Sequence, residues 1–353
     1  MWSGKGAIAE VMNDSEVPDF GPGGAMLTID AIAVEPGEAR SLDRLRVAVL
    51  VPCYNEEAAI ADVVRAFRSE LPDAVVYVYD NNSTDKTAEA ARAAGAVVRR
   101  ETHQGKGNVV RRMFADVDAD IYLLVDGDAT YDAPSAKAMI ARLLDERLDM
   151  VVAARVDREE AAYRRGHRTG NRLLTGFVQQ TFGRSFTDML SGYRAFSRRF
   201  VKSFPVLSGG FEIETELTIH ALELELPVGE VRTPYYARPA GSASKLNTWR
   251  DGFRILLSIL HIYRAERPLS FFAAIGMALA FVAIGLAIPI VITFVQEGIV
   301  PRFPTAILST GLMLAALLAF ASGFVLDTVT RGRREIKLLA YLRYSAPGEP
   351  ARE

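Results

Sequence analysis

Hydrophobic and polar positions follow two rhythms in the middle of the chain. Short apolar runs rich in β-branched residues, such as RVAVLVPCY, are typical of buried parallel strands. Between these runs, apolar residues recur at helical spacing, as Ile60, Val63, Val64 and Phe67 do. The predicted strands are 46–54, 75–82, 96–101, 121–128, 150–156 and 228–239; the predicted helices are 56–70, one capped by Ser83 and one starting near Gly107. This alternation predicts an α/β fold, a sheet covered on both faces, with ligands collecting at the carboxyl ends of its strands.

The pattern changes near the C-terminal end, where two long runs carry no charge. Residues 269–295 have 27 uncharged positions and residues 305–326 have 22. At about 1.5 Å per residue, either helix would cross a hydrocarbon core about 30 Å thick. A pair of buried core helices is the alternative. Basic residues flank both outer ends (Arg250, Arg254, Arg264 and Arg267 before; Arg331, Arg333, Arg334, Lys337 and Arg343 after), whereas the connecting loop has only Arg302. This bias predicts a multi-pass protein of the inner (plasma) membrane with both ends in the cytoplasm.

These patterns predict five segments. They are a disordered leader (1–42), a cytoplasmic α/β domain (43–245), a juxtamembrane amphipathic helix (246–267), two transmembrane helices (268–330) and a basic cytoplasmic tail (331–353). The net charge of −2 gives no support for a nucleic-acid partner, which needs a strongly basic face. The single cysteine, Cys53, excludes an intramolecular disulfide.

Two segments mix basic and apolar residues in a way that is typical of helices lying in a membrane interface. In 163–199, arginines surround apolar residues at helical spacing, and 246–267 places its apolar residues on one face. Ordinary surface helices packing on the domain are the alternative. Arginines in such a setting can meet lipid headgroups or bind one particular lipid phosphate.

The run DGDATYD (126–132) follows an apolar strand and contains two carboxylates separated by one glycine. Asp126 and Asp128 start on the same side because side chains alternate along a strand. Two hard oxygen donors at a strand end suit Mg²⁺ or Mn²⁺, which such sites hold with one or two carboxylates and substrate phosphates. A solvated turn is the alternative, since Asp and Gly are ordinary turn residues.

Polar residues also follow the first two predicted strands, in VPCYNEE (51–57) and YDNNSTDKT (79–87). Pro52 ends the first strand, Tyr54 could stack on a base, and Glu56, Asp80 and Asn82 could accept hydrogen bonds from a base or a ribose. Helix capping is the competing interpretation. HQGKGNVVRR (103–112) lacks the pattern of a phosphate-binding P-loop, and Lys106 could still face a phosphate near a helix N-terminus.

The motifs VPCYNEE, DNNSTD, the Gly-Lys-Gly segment, DGDATYD, TDMLSGYRAFSRR and RPAGSASKL occur in this order over about 46–265. With them the chain resembles family 2 glycosyltransferases, more closely the polyprenyl-phosphate glycosyltransferases of the dolichol-phosphate mannose synthase type that carry a C-terminal two-helix membrane anchor. The resemblance implies a GT-A fold with a mixed, mostly parallel sheet. It also implies a nucleotide-diphosphate sugar donor linked to UDP or GDP, Mg²⁺ or Mn²⁺, and a polyprenyl phosphate acceptor.

The same resemblance implies a role for each matching residue. The nucleotide would be bound by Pro52, Tyr54, Glu56, Asp80, Asn82, Lys106 and Asp126, and the metal by Asp126 and Asp128. The donor diphosphate would be held by Arg238 and Lys245, and the acceptor phosphate by Arg168, Arg184 and Thr187. Asp128, Asp188 and Arg238 are the expected catalytic residues.

The predicted reaction is an inverting transfer of a sugar to undecaprenyl or dolichyl phosphate at the cytoplasmic membrane face. Two alternatives stay open: transfer to a hydroxyl, which would need Asp188 or Glu214 as a base, and a non-catalytic nucleotide-binding scaffold. Two spans are too few to move the product across the membrane, so a separate flippase is expected. The possibility of a homo-oligomer is left open.

Overall fold

The computed structural model describes residues 45–157, 186–210, 212–236 and 263–349. Seven strands form one sheet in the order β3-β2-β1-β4-β6-β5-β7. All neighbouring pairs are parallel except those of β6, which is antiparallel to β4 and to β5. The strands are β1 (Val47–Cys53), β2 (Val75–Asp80), β3 (Val97–Arg100), β4 (Ile121–Leu124), β5 (Met150–Asp157), β6 (Arg194–Ser197) and β7 (Val228–Tyr235). The predicted α/β class and the mostly parallel sheet are confirmed.

Helices cover both faces of this sheet. They are α1 (Ile60–Glu70), α2 (Thr87–Ala93), α3 (Lys106–Asp116), α4 (Ser135–Asp145), α5 (Arg198–Ser203) and α6 (Ile213–Glu223). Alternate residues of β1 enter two separate apolar clusters: Val49 and Val51 pack with α1 and α4, whereas Ala48 and Leu50 pack on the side of α3, α5 and α6. The central strands β1 and β4 are therefore buried on both faces, which explains their continuous apolar runs in the sequence.

Two further helices, α7 (Pro268–Glu297) and α8 (Phe303–Tyr341), are long and apolar enough to cross a membrane. Their apolar windows are only 6% and 11% buried inside the structure, which excludes the alternative of two core helices. They pack against each other through small residues. Gly276 and Ala283 lie on α7, and Ser309, Ala316 and Gly323 on α8, each seven residues from the next on the same helix. Ser309 Oγ donates to the Ala283 carbonyl at 3.0 Å. Small residues allow the two backbones to approach closely.

Several predicted boundaries do not match the structure. The basic segment 163–199 is not one helix: its described part, from residue 186, is a loop, then β6, and a helix begins only at Arg198. Arg199 there pairs with the fully buried Asp149, so this arginine serves the domain and not a lipid surface. The remainder of that prediction, the juxtamembrane helix over 246–262 and the leader 1–42 lie outside the described residues. Of the basic residues after position 330, Arg331, Arg333, Arg334 and Lys337 belong to α8, which continues to Tyr341, and Arg343 follows its end.

Candidate active site

The loops that follow β1 and β2 are joined by hydrogen bonds between their backbone and side chains. Asn55 N donates to Ser83 Oγ at 2.9 Å, and Thr84 N donates back to Asn55 Oδ1 at 2.8 Å. Glu56 N donates to Thr87 Oγ1 at 2.9 Å. The sequence predicted that Ser83 caps α2, and this is wrong. The Ser83 hydroxyl accepts from the neighbouring loop, and the helix starts four residues later, at Thr87. These hydrogen bonds keep the residues of β1 and β2 that were predicted to bind a nucleotide on one edge of the sheet.

The residues after β2 also bind the loop that leads to α3. Asp80 is 7% exposed, and its Oδ1 accepts from the backbone of this turn. Asn81 is 3% exposed, and its Oδ1 accepts from Gly105 N at 2.7 Å. Asn82 Nδ2 donates to the Thr102 carbonyl at 2.8 Å. The amide of Asn82, predicted to contact a nucleotide, is thus used inside the protein to join the β2 and β3 loops.

The two glycines that flank Lys106 are explained by close backbone packing. A side chain on Gly105 would collide with the Gly209 carbonyl, and one on Gly107 with the Ser208 carbonyl. In addition, Gly107 N donates to the Gly210 carbonyl at 3.1 Å. The start of α3 is therefore pressed against the 208–210 loop, which fixes the direction of the Lys106 side chain.

Lys106 lies between two carboxylates. Its Nζ is 2.5 Å from Asp126 Oδ1 and 2.5 Å from Glu214 Oε1, and the Lys106 and Glu214 side chains are 10% and 8% exposed. Burial opposes the charged ammonium, but the two carboxylates outweigh it and raise the pKa of Lys106 above its ordinary value. Lys106 is therefore a buried cation that neutralises the acidic end of β4. Its predicted phosphate contact stays a prediction.

The position of Asp126 is also set from its other side, by Gly192. A Cβ on Gly192 would collide with Asp126 Oδ2, so only glycine allows the carboxylate to lie there. Gly192 N donates to Tyr131 Oη at 2.9 Å, and burial raises the pKa of Tyr131 well above its usual range. The loop before β6 and the DGDATYD loop are consequently fixed to each other.

Arg194 stabilises the same loop from beneath. Its side chain is completely buried and donates to the carbonyls of Ser191 (3.0 Å) and Met189 (2.5 Å) and to Thr218 Oγ1 (2.9 Å). Burial lowers the pKa of Arg194 to about 10, so the guanidinium is still charged at neutral pH. A buried cation bound by carbonyls is a rigid support for Gly192 and, through it, for Asp126.

Asp128, the second acidic residue of the motif, lies deeper than Asp126. It is 4% exposed, and its Oδ1 accepts from Thr130 Oγ1 at 2.6 Å and from Thr130 N at 3.2 Å. Ala129, between Asp128 and Thr130, has a φ of +57°, so the chain turns sharply within five residues of the end of β4. The structure thus places two carboxylates with one intervening residue beyond the strand. These hard oxygen donors fit Mg²⁺ or Mn²⁺, which needs only one or two carboxylates when phosphates supply further ligands. Within the described ranges, no group of three or more metal-ligating side chains is present.

Asp188 is engaged by Arg155 in a bidentate ion pair. Arg155 Nε lies 2.6 Å from Asp188 Oδ2, and Arg155 Nη2 lies 2.8 Å from Asp188 Oδ1. The two side chains are 13% and 8% exposed. The Arg155 guanidinium also lies over the Tyr235 ring, 5.3 Å from its centroid. This planar pairing holds the Asp188 carboxylate in one orientation.

The neighbouring residue, Thr187, binds Glu230. Thr187 N and Oγ1 donate to the two carboxylate oxygens of Glu230 at 2.8 and 2.9 Å. The groups of Thr187 that were expected to meet the acceptor phosphate are therefore used in an internal contact. Its predicted role stays a prediction, and the observed one is to anchor the loop that carries Asp188.

The structure brings together most of the described residues that the sequence singled out. Pro52 pairs with Tyr79 and Asp80 pairs with Cys53 at the ends of β1 and β2, and Tyr54 directly follows β1. The positions expected to bind the donor diphosphate and the acceptor phosphate, except Thr187, lie outside the described residues: Arg168, Arg184, Arg238 and Lys245. Sequence reasoning missed Arg155 and Glu230. Arg155 could have been found by the rule that identified Asp126, because it is a charge near the carboxyl end of an apolar strand.

Comparison with known proteins assigns this arrangement to a family. The pattern of glycosyl transferase family 2 matches residues 48–204. The glycosyltransferase AglJ of Haloferax volcanii is 36% identical over 292 residues, which are 82% of this chain and 95% of that protein. The dolichyl-phosphate hexose transferase of the same organism is 26% identical over 63% of this chain and 95% of its own length. The undecaprenyl-phosphate 4-deoxy-4-formamido-L-arabinose transferase of Edwardsiella ictaluri is 22% identical over 75% and 84% of the two chains.

Among solved structures, glucosyl-3-phosphoglycerate synthase of Mycobacterium tuberculosis, crystallised with Mn²⁺, UDP-glucose and glycerol 3-phosphate, superposes with a TM-score of 0.51. It is 25% identical, over 64% of this chain and 86% of that one. This likeness confirms the GT-A type of the mixed sheet. A divalent metal is consistent with it. The chain is a glycosyltransferase and belongs to glycosyl transferase family 2.

Proposed function

We propose that the chain transfers a sugar, with inversion, from a UDP- or GDP-linked donor to a polyprenyl phosphate at the cytoplasmic face of the inner membrane. The observation that carries this proposal is that both candidate general bases, Asp188 and Glu214, form ion pairs inside the protein. Asp188 uses both carboxylate oxygens to bind Arg155, and Glu214 is 2.5 Å from the Lys106 ammonium. Both oxygens of Asp188 and one oxygen of Glu214 are thus already bonded to cations.

This arrangement favours an acceptor that needs no base. A hydroxyl must lose its proton during attack, whereas a phosphate monoester has a second pKa near 6 and is largely dianionic at pH 7. Its oxygen is a nucleophile without further activation. The two relatives whose names contain dolichyl phosphate and undecaprenyl phosphate, together with α7 and α8, support a lipid-linked phosphate as acceptor.

The remaining task is electrostatic, because two anionic substrates must meet. We propose that Arg238 and Lys245 hold the donor diphosphate, and that Arg168 and Arg184 hold the acceptor phosphate through their guanidinium groups. Asp126 and Asp128 would hold Mg²⁺ or Mn²⁺, which when bound stabilises the charge that develops on the departing diphosphate.

The residues around these carboxylates keep them in position. In this proposal Lys106 balances Asp126 before the donor arrives, and Gly192 fixes the direction of that carboxylate. Asp188, oriented by Arg155, positions the acceptor or the sugar without removing a proton. Pro52, Tyr54, Glu56 and Asp80 would line the nucleoside.

A matched pair of acceptors tests the proposal directly. The purified full chain is incubated with a panel of UDP- and GDP-sugars, Mg²⁺ or Mn²⁺, and either undecaprenyl phosphate or undecaprenol, which differ only in the phosphate. We expect mass spectrometry to detect a glycosylated lipid with the phosphate and none with the alcohol. Equal transfer to undecaprenol would establish a hydroxyl acceptor and overturn the proposal, and donor binding without any transfer would favour the scaffold.

A further inference from the structure

The second long helix does not end where its apolar part ends. The apolar part of α8 is finished at Leu326, but the helix continues to Tyr341. We call residues 327–341 the α8 extension; at about 1.5 Å per residue it is about 22 Å long. No proline interrupts it. A continuous helix of this kind transmits its orientation from the bilayer to whatever its far end binds.

The far end binds the catalytic domain through two buried acidic residues. Lys337 Nζ lies 2.6 Å from Glu223 Oε2 at the end of α6, and these side chains are 21% and 6% exposed. Tyr341 Oη donates to Asp149 Oδ2 at 2.8 Å, and Asp149 is completely buried. Arg199, which pairs with the same Asp149, lies over the Tyr341 ring at 4.7 Å.

One more ion pair, which is exposed, joins the extension to the domain: Arg334 Nη2 lies 3.2 Å from Glu225 Oε1. A groove of about 980 Å³ is lined on one side by Arg333, Ile336 and Lys337 of the extension, and on the other by α6 and the 204–209 loop. Near the membrane end, Thr330 Oγ1 donates to the Ala265 carbonyl at 3.2 Å, just before α7 begins. The contacts of the extension with buried acidic residues of the domain are therefore those of Lys337 and Tyr341, and the groove lies beside them.

The attachment lies at the opposite edge of the sheet from the site. Asp149 directly precedes β5, whereas Asp126 and Asp128 follow β4, which runs in the same direction as β5. Eight residues of β5 at about 3.3 Å each separate the two edges by about 26 Å. A tilt of about 10° at the attachment would move the site by roughly 4–5 Å, and misplacements of about 1 Å can already cost about 100-fold in rate.

We propose that Lys337 and Tyr341 are positioning residues: through Glu223 and Asp149 they fix the height and tilt of the active site relative to the bilayer. The inference rests on the proposed function, because position matters most when the acceptor is embedded in the membrane. Donor binding and transfer to an acceptor that diffuses freely in water do not depend on this attachment.

The test compares two acceptors with the same reacting group. The variants Lys337→Glu and Tyr341→Ala are assayed with undecaprenyl phosphate in bilayer nanodiscs and with a short-chain, water-soluble prenyl phosphate. We expect kcat on the bilayer acceptor to fall at least about tenfold, with the donor KM and the rate on the soluble acceptor unchanged. Exchanging the charges, in Lys337→Glu with Glu223→Lys, should restore most of the lost rate.

Arg331→Glu is the matched control. It makes the same charge change on the same helix, but Arg331 is 78% exposed at its side chain and pairs with Asp327 of its own helix. It should leave both rates near those of the unmodified protein. Equal losses on both acceptors, no loss on either, or failure of the charge exchange to restore activity would overturn the inference.

A second readout separates this inference from the proposed function. Cys53 is only 2% exposed, so a dye coupled to Glu89→Cys on the surface of α2 labels one position. Energy transfer to a headgroup dye in the nanodisc should report one narrow distance, and Lys337→Glu should broaden it. If neither acceptor is glycosylated but the distance still broadens, the reaction is wrongly assigned and the attachment stands. An unchanged distance refutes the attachment whatever the reaction is.

Discussion

Replacement of Lys106 by methionine should destabilise the protein more than any exposed substitution. The change keeps the length of the side chain but removes the ammonium that lies 2.5 Å from both Asp126 and Glu214. Two carboxylates are then left near each other, one of them, Glu214, only 8% exposed. Breaking a buried ion pair by removing one partner costs about 3–5 kcal/mol.

A thermal melt in detergent measures this loss. At about 2–4 °C per kcal/mol for a domain of this size, we expect Tm to fall by roughly 6–20 °C. The raised pKa of Lys106 means that its contribution is complete below the unfolded-state pKa of 10.5 and is lost only as the pH rises through the higher folded-state value. The loss in Lys106→Met should therefore be the same at pH 6 and pH 9.

The double variant Lys106→Met with Glu214→Gln serves as the internal control. It also removes the buried carboxylate that the single variant leaves without its cation, so part of the lost stability should return. A fall in Tm of under about 2 °C in Lys106→Met would mean that the pair is fully solvated and contributes little. That result would refute the description of Lys106 as a buried balancing cation.

Three further predictions concern the site and the membrane end. Asp128→Asn should reduce sugar transfer at least about 100-fold, because it removes a carboxylate from the proposed metal site while the protein still inserts and folds; near-normal turnover in a purified assay would remove the metal assignment. Arg168→Ala combined with Arg184→Ala should raise KM for the lipid far more than KM for the nucleotide sugar, and equal changes would argue against an acceptor-phosphate site. Burial and the nearby Glu223 raise the pKa of Glu266 to about 7, so the stability contributed by this group falls as pH rises from about 4.5 to 7. Glu266→Gln should then raise the free energy of unfolding at pH 8 by at most about 3 kcal/mol, seen as a higher Tm, and leave the Tm at pH 4 unchanged. Equal effects at the two pH values would contradict that shift.

The sheet and the edge that carries the candidate site could be predicted because their residues carry a local signal. The apolar run of β1 predicts a buried strand, and the DGD sequence after β4 predicts a pair of carboxylates at a strand end; each pattern needs only a few consecutive residues. The short strand β6 could not be predicted in the same way. RAFS has only four residues, all buried, and stands in a basic segment that resembles a surface helix.

The partners of the charged residues were not predictable from spacing alone. Lys106 is 20 positions from Asp126 and 108 from Glu214, so nothing in the sequence says that it faces carboxylates and not a phosphate. Arg194 belongs to an arginine-rich run, yet it is completely buried because nearby carbonyls supply its hydrogen bonds. Such pairings are decided by tertiary packing, which brings distant segments together.

Because α8 continues to Tyr341 and contacts the catalytic domain there, removal of α7 and α8 would affect more than membrane attachment. A fragment that ends before Pro268 would lack both apolar helices, but also Lys337 and Tyr341, the groups that cover Glu223 and Asp149. Removal of the apolar helices would therefore expose the surface around Glu223 and Asp149 to water and leave these two carboxylates with fewer partners. A fragment that retains residues 331–349, rejoined by a flexible linker, should be the better starting point for a detergent-free enzyme.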